Sequence, residues 1–296
     1  MSGKEIEGEA CPSMGPVPCV HTLALTVFGR RVQVKCEDAT ADALLTANYS
    51  ALQGEPAAPD LRYVVRRSEV SRSFSIIREG EEPLTGLDDG EFLFLFEKDL
   101  TIELQKLRPD LYFLHAAVLG FAERAVMLVA PSGSGKSTTT WALLHHGFRY
   151  LSDELGPVDL QTLTVHPYPH ALCLKDAPPP AYPLPASTLS TASTLHIPTD
   201  ALPGEVGSTP LPLGAILFLR YCPTAAQPEI RTLGKAEAAA RLLANALNPL
   251  AHPGAGLDGA IAIASRSASF ELCTAALPAT CARVKETVAS LISPGP

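Results

Sequence analysis

The sequence predicts a protein of the α/β class in two parts, an α+β unit over residues 1–108 and a second unit over residues 109–296. Hydrophobic residues make up 46% of the 296-residue chain and charged residues only 18%, which is enough apolar material for a sizeable core. The pattern also changes near residue 109. Short alternating segments precede that point, and longer apolar segments interleaved with helical ones follow it.

The first unit is predicted to be a small sheet with two helices. After an arm over residues 1–20, apolar and polar residues alternate on both sides of Gly29, which is typical of a β-hairpin. We expect a helix over 39–53, strands over 61–67, 71–78 and 91–96, and a helix over 98–107 that ends before Pro109. This unit holds no recognisable chemical motif, so the sequence predicts no reaction for it.

The second unit is predicted to alternate strands with helices. We expect strands over 111–121, 125–130, 148–152, 162–166, 215–221 and 269–272, and helices over 137–146, 235–247, 256–265 and 279–292. Residues 176–207 are rich in Pro, Ser, Thr and Ala and predict a long irregular segment. Segments of this length inside a domain are often lids, so we expect this one to close over a site.

One motif predicts chemistry. Residues 130–137 read APSGSGKS and match a phosphate-binding loop in which Ala130 replaces the first glycine. The apolar run over 125–129 predicts the buried strand that must precede such a loop, and residues 138–144 predict the helix that must follow it. Glycines let the backbone curl so that its N–H groups face an anion. The predicted nucleotide-binding residues are Pro131, Ser132, Gly133, Ser134, Gly135, Lys136, Ser137 and Thr138.

Two side chains of this motif have predicted roles of their own. Lys136 is placed to neutralise the outer phosphates, and the Ser137 hydroxyl is placed to bind Mg²⁺. The helix that begins beside them aims its positive end at the same phosphates.

Asp153 and Glu154 follow a short predicted strand soon after this helix. Because adjacent strand residues point to opposite faces, the two carboxylates are not expected to share one job. One would hold the metal, for which Asp153 is our candidate, and the other would accept a proton from an attacking hydroxyl. In isolation the pair would instead indicate a solvated acidic turn.

The remaining candidates are single residues. His115 lies in an apolar predicted strand and is either a hydrogen-bonded core histidine or a catalytic one. The pair at His145 and His146 is interpreted as structural, because cationic side chains suit the end of a helix. His166 and His170 lack the spacing of metal ligands. Arg220 ends a buried strand and would contact a phosphate or make an ordinary salt bridge.

Composition limits the function classes. A net charge of −8 argues against a general nucleic-acid binder. No uncharged apolar stretch reaches the ~18 residues of a membrane helix, and the polar start of the chain argues against a secretory signal. The seven cysteines are scattered without a CxxC pair, so we expect reduced thiols and a cytoplasmic protein.

The order of these features resembles the kinase domain of the HPr kinase/phosphorylase family, and more closely the bacterial HPr-kinase-related proteins. The residues that carry the resemblance are LHAA at 114–117, APSGSGKST at 130–138 and HHGFRYLSDE at 145–154. It covers about residues 113–175 and extends weakly through GAILFLRY at 214–221. Residues 1–108 show no match.

This resemblance implies a P-loop kinase domain with a mixed sheet, like that of phosphoenolpyruvate carboxykinase. It implies phosphorylation of a serine hydroxyl with ATP and Mg²⁺, and assembly into a homo-oligomer. His115, Lys136 and Ser137 match the family's histidine, loop lysine and metal-binding serine. HPr kinases carry two aspartates where this chain has Asp153 and Glu154, so which of the two transfers the proton stays open.

A second departure concerns the region after the carboxylates. HPr kinases carry there a signature segment with Glu and Gly that is linked to dephosphorylation, and this chain instead reads HPYPHALCLKDAPPP at 166–180. We therefore do not expect the reverse reaction. The acceptor is expected to be a hydroxyl-bearing protein, peptide or small molecule. Two alternatives remain, a regulatory protein that binds and slowly hydrolyses nucleotide and a nucleotide-binding relic that serves as a scaffold.

Overall fold

The first part of the chain is a five-stranded sheet with two helices. The computed structural model describes residues 21–222 and 224–292. In chain order the elements of this part are β1 (His21–Val27), β2 (Arg30–Cys36), α1 (Ala39–Tyr49), β3 (Leu61–Arg67), β4 (Phe74–Arg78), β5 (Leu84–Gly86) and α2 (Asp89–Leu107). The strands lie side by side in chain order, with β2 parallel to β3 and the other neighbours antiparallel. The predicted hairpin is confirmed, and the predicted arm over 1–20 lies outside the described residues.

Helix α2 corrects one prediction. Residues 91–96 are not a strand but the first half of α2, of which the predicted helix over 98–107 is the second half. The Asp88 side chain accepts a hydrogen bond from the Glu91 backbone N–H at 2.9 Å and so caps the helix. Phe92, Phe96 and Leu100 are fully buried at helical spacing, because this face packs under the sheet.

The second part is built on a larger mixed sheet. Its elements are β6 (Leu111–Phe121), β7 (Arg124–Val129), α3 (Lys136–Leu144), β8 (Arg149–Ser152), β9 (Leu155–Asp159), β10 (Thr164–Val165), β11 (Leu172–Leu174), β12 (Leu189–Ser190), β13 (Leu195–Ile197), β14 (Leu211–Tyr221), β15 (Glu229–Thr232), α4 (Lys235–Ala244), α5 (Leu257–Arg266), β16 (Ala268–Thr274) and α6 (Leu277–Ile292). The strand order is β10-β9-β6-β7-β14-β16-β15, and β8 also pairs with β6. The predicted α/β class with a mixed sheet is confirmed.

The topology of this sheet gathers several strand ends at one edge. Strands β7, β14 and β16 are parallel, so their carboxyl ends share that edge. Strands β7 and β8 both run antiparallel to β6, which brings the carboxyl end of β8 to the same edge. Helices α3 and α6 pack on one face of the sheet, where Trp141 and Val284 lie in the core. Helices α4 and α5 cover the other face through Leu242 and Ile263.

The two parts share a hydrophobic core. Leu111, Phe113 and Tyr168 of the second part belong to the same buried cluster as the apolar face of α2. The two parts are therefore packed against each other through this cluster.

Residues 176–207 are more ordered than predicted. They contain β12 and β13, which join β11 in a three-stranded sheet. Tyr182 is 4% exposed and is fixed to α3, because its carbonyl accepts a hydrogen bond from Trp141 Nε1 at 3.0 Å. The prediction of an irregular segment is wrong for these strands, and closure of the segment over a site stays a prediction.

The cysteines correct another prediction. Cys222 and Cys273 form a disulfide between the ends of β14 and β16, with Cα atoms 5.9 Å apart, so the expectation of reduced thiols is wrong for this pair. Cys36, Cys173 and Cys281 are free. Among the described residues, no helix has the length and apolar character needed to cross a membrane.

Candidate functional site

The candidate phosphate loop, residues 130–137, has the backbone that its glycines predict. It connects the carboxyl end of β7 to the first residue of α3, Lys136. Gly133 and Gly135 have φ angles of 83° and 80°, which favour glycine. Open space surrounds the position of a Cβ at either residue, so backbone conformation rather than crowding requires the glycines. Such turns present successive N–H groups to an anion.

Lys136 lies inside this site and not on its surface. Its side chain is 7% exposed, and Nζ donates a hydrogen bond to the Asp153 carbonyl oxygen at 2.7 Å. The same Nζ lies 3.8 Å from Glu154 Oε2. The loop lysine therefore directly contacts the backbone of Asp153 and the side chain of Glu154, although these residues are separate in sequence.

His115 joins the group from β6. Residue pairing sets Ala116 opposite Val129, so His115 lies beside the carboxyl end of β7. His115 Nδ1 is 3.3 Å from Glu154 Oε2. Burial lowers the pKa of His115 to about 4, and the positive charge of Lys136 acts in the same direction. The imidazole is therefore neutral near pH 7 and meets the carboxylate as a neutral partner.

The Asp153 carboxylate is buried without a hydrogen bond to either oxygen. The residue is 0% exposed. Burial and the negative charge of Glu154 raise its pKa, while Lys136 and the nearby Ser137 hydroxyl oppose that rise. A buried carboxylate whose oxygens accept no hydrogen bond is costly, so this position suits a ligand that supplies those contacts.

Glu97 and His170 lie behind Asp153, and we call these three residues the inner wall of the site. Glu97 Oε1 is 3.2 Å from His170 Nε2, and both atoms are buried without a hydrogen bond of good geometry. Burial raises the pKa of Glu97 to about 7, with a further contribution from the charge of Asp153. Burial lowers the pKa of His170, against the charges of Asp153 and Glu154. Helix α2 of the first part thus contributes a carboxyl group to the site.

The residues present fit a divalent cation that is bound partly by the protein and partly by the phosphates of a bound substrate. No cluster of three or more His, Cys, Asp or Glu side chains in the described part of the chain could hold a metal ion. Mg²⁺ is usually bound by one or two carboxylates together with substrate phosphates and water, and not by a protein cage. The unpartnered oxygens of Asp153 beside the Ser137 hydroxyl match that pattern.

A second lysine reaches the loop from β11. Lys175 follows Leu174 directly, and its Nζ donates a hydrogen bond to Ser132 Oγ at 3.0 Å.

The other predicted nucleotide-binding residues differ in exposure. Pro131 and Ser132 are exposed, and Ser134, Ser137 and Thr138 are half-buried.

Arg220 lies at the same sheet edge as this group but on the face opposite to α3. It stands two residues beyond Phe218, which pairs with Val129, and by strand alternation it shares the face that α4 and α5 cover. Arg220 Nε is 3.9 Å from Glu271 Oε1. Its predicted phosphate contact stays a prediction.

Sequence reasoning did not find Glu97, His170 as a site neighbour, or Lys175. Glu97 belongs to an amphipathic helix and is unremarkable there, because its partners come from distant parts of the chain. Lys175 had one available signal, since a cation directly after an apolar strand lies at a sheet edge, where sites form.

Comparison with known proteins gives little beyond this geometry. No family model matches the chain, and no curated protein matches it. Among solved structures, the chain is similar to the Hpr(Ser) kinase/phosphatase from Coxiella burnetii, with 11% sequence identity and a TM-score of 0.28 over 60% of this chain and 98% of that one. At such a TM-score the similarity supports no conclusion about activity.

Proposed function

We propose that this protein is an ATP-dependent kinase that transfers the terminal phosphoryl group to a hydroxyl acceptor. The observation that carries the proposal is the meeting of four predicted residues at one sheet edge. Lys136 Nζ contacts the backbone carbonyl of Asp153 and the carboxylate of Glu154, and His115 contacts Glu154, directly beside the candidate phosphate loop. A glycine-rich turn by itself would only bind an anion. This arrangement adds side chains that can neutralise phosphate charge and accept a proton.

The different surroundings of the two carboxylates support different roles. Asp153, buried and unpartnered beside Ser137, is the side chain that would hold the cation. When bound, Mg²⁺ would neutralise phosphate charge that develops during transfer. Asp153 is held in place for this because its own carbonyl accepts the Lys136 hydrogen bond.

Glu154 is the better candidate for the proton acceptor. Its side chain is 38% exposed, so an acceptor hydroxyl has access to it. The neutral His115 and the Lys136 ammonium both face Glu154 Oε2, which orients the carboxylate without burying it. Lys136, at the first position of α3, would bind the outer phosphates together with the backbone amides of the loop.

The proposal is tested by phosphoryl transfer from γ-labelled ATP into an extract of the organism that encodes the chain. The wild-type protein should label a hydroxyl-bearing species, and Lys136→Ala should abolish the labelling while the fold remains, as judged by circular dichroism. Lys106→Ala is the matched control, because that lysine is 66% exposed on α2 and, among the described residues, pairs only with Glu103. Phosphate release that no hydroxyl compound alters would favour the nucleotide-dependent regulatory protein instead.

A further inference from the structure

We propose that Lys175 is a second cation that contacts the phosphate chain of the bound nucleotide. This inference rests on the proposed function, since it assumes that a nucleotide occupies the candidate phosphate loop. It assigns a role to a residue outside the motif, contributed by the small sheet of β11, β12 and β13.

The position of Lys175 is the first support. Its Nζ donates a hydrogen bond to Ser132 Oγ at 3.0 Å, directly before the first glycine of positive φ in the loop. An ammonium group has three donors, so this hydrogen bond leaves two for a ligand. The ammonium group therefore lies beside the turn that would bind phosphate oxygens.

The charge of Lys175 is the second support. Within the described part of the chain, Lys175 makes no ion pair with a carboxylate, and its side chain is exposed. Lys136 differs, because it is buried and faces the Asp153 carbonyl and the Glu154 carboxylate. An uncompensated cation beside an anion-binding turn raises the local positive potential, which attracts a polyphosphate.

The backbone that carries Lys175 is well fixed. Leu172 and Leu174 are 0% and 1% exposed, and they lie in the same buried cluster as Trp141 of α3. Leu174 pairs with Leu195 of β13. Because β11 already fixes the backbone that carries Lys175, that backbone loses no further freedom when the ammonium group binds a phosphate.

The test measures binding by calorimetry, with Mg-ATP and with inorganic tripolyphosphate, so it does not depend on turnover. Lys175→Gln should weaken the binding of both probes by roughly tenfold, the usual scale for losing one charged hydrogen bond. Lys175→Arg should bind them within about threefold of wild type, because it keeps the charge. Lys285→Gln is the matched control: it is also an exposed lysine with one hydrogen bond to a protein oxygen, on α6.

Equal affinities in wild type and Lys175→Gln would overturn the assignment of Lys175 and leave the proposed function standing. An arginine variant as weak as the glutamine variant would also overturn it, since a charge contact should be rescued. If the wild-type protein binds neither probe, both the inference and the proposed function fail.

Discussion

The inner wall of the site and its rim, which we define as Glu154 and His115, differ sharply although they adjoin each other. Asp153 in the inner wall is fully buried, and Glu154 at the rim is 38% exposed. Asp153 oxygens accept no hydrogen bond, whereas Glu154 Oε2 faces both His115 and Lys136. The Asp153 carboxylate is thus removed from solvent, whereas the neighbouring Glu154 carboxylate stays accessible.

Under the proposed function, this contrast would give the two consecutive acids separate roles. A desolvated carboxylate without partners gains most from a cation, because binding replaces the contacts that burial removed. An accessible carboxylate with orienting neighbours is suited to meet a hydroxyl and accept its proton.

The largest expected effect is in the inner wall. Asp153→Asn should lower phosphotransfer at least ~10³-fold, because the cation loses its side-chain ligand. The same variant should raise the melting temperature of the nucleotide-free protein by roughly 2–5 °C, since it replaces a buried carboxylate whose oxygens accept no hydrogen bond with a neutral amide. Calorimetry and a labelled-ATP assay measure the two effects, with the exposed Asp200→Asn as control. An unchanged or lower melting temperature would contradict the account of Asp153.

Glu154→Gln should separate the rim from the inner wall. We expect kcat to fall by about 10²–10⁴-fold, the usual range for removing a general base. Affinity for Mg-ATP should change by less than about threefold, because Glu154 is not the proposed cation ligand. Comparing the Mg-ATP affinities of Glu154→Gln and Asp153→Asn decides which carboxylate holds the cation. If Glu154→Gln loses Mg-ATP binding while Asp153→Asn keeps it, the two roles are reversed.

His115 provides a smaller effect at the rim. His115→Gln keeps a neutral hydrogen-bonding group beside Glu154, so kcat should fall only about tenfold, and His115→Ala should fall further. Because the pKa of His115 is lowered to about 4, its contribution to stability is present above about pH 6.5 and is lost as the pH falls toward 4. Unfolding curves of both variants should therefore be less sensitive to acid in that range than those of wild type.

Glu97 has no part in the proposed transfer step, and its raised pKa gives stability the opposite pH dependence. Its folded-state pKa of about 7 exceeds the ordinary value of 4.5, so this group favours the folded state at low pH. That contribution, at most about 3 kcal/mol, is lost as the pH rises from 4.5 through 7. Glu97→Gln should flatten this part of the stability curve, measured by urea unfolding. A curve parallel to that of wild type would show that Glu97 is not desolvated.

The sequence predicts the local parts of this site well, because their causes are local. Gly133 and Gly135 supply the positive φ angles, and the apolar run before them forms β7 as predicted. The prediction failed at residues 91–96, because the apolar run over 92–96 suits a strand or a buried helix equally. The capping residue Asp88, three residues before Glu91, was the overlooked signal for a helix.

The inner wall could not be predicted in the same way. Glu97 reaches Asp153 only because α2 packs against the second part through the shared core around Phe113 and Tyr168. No periodicity or motif in the sequence indicates such a tertiary approach between residues far apart in the chain. The burial of Asp153, which separates its role from that of Glu154, likewise depends on the packed structure.

The most direct test of the account is a crystal structure with Mg²⁺ and a non-hydrolysable ATP analogue. We expect the polyphosphate to lie against the backbone amides of residues 133–137, with Lys136 Nζ on its outer phosphates and the cation between Ser137 and Asp153. An analogue that binds elsewhere and leaves the loop unoccupied would contradict the account.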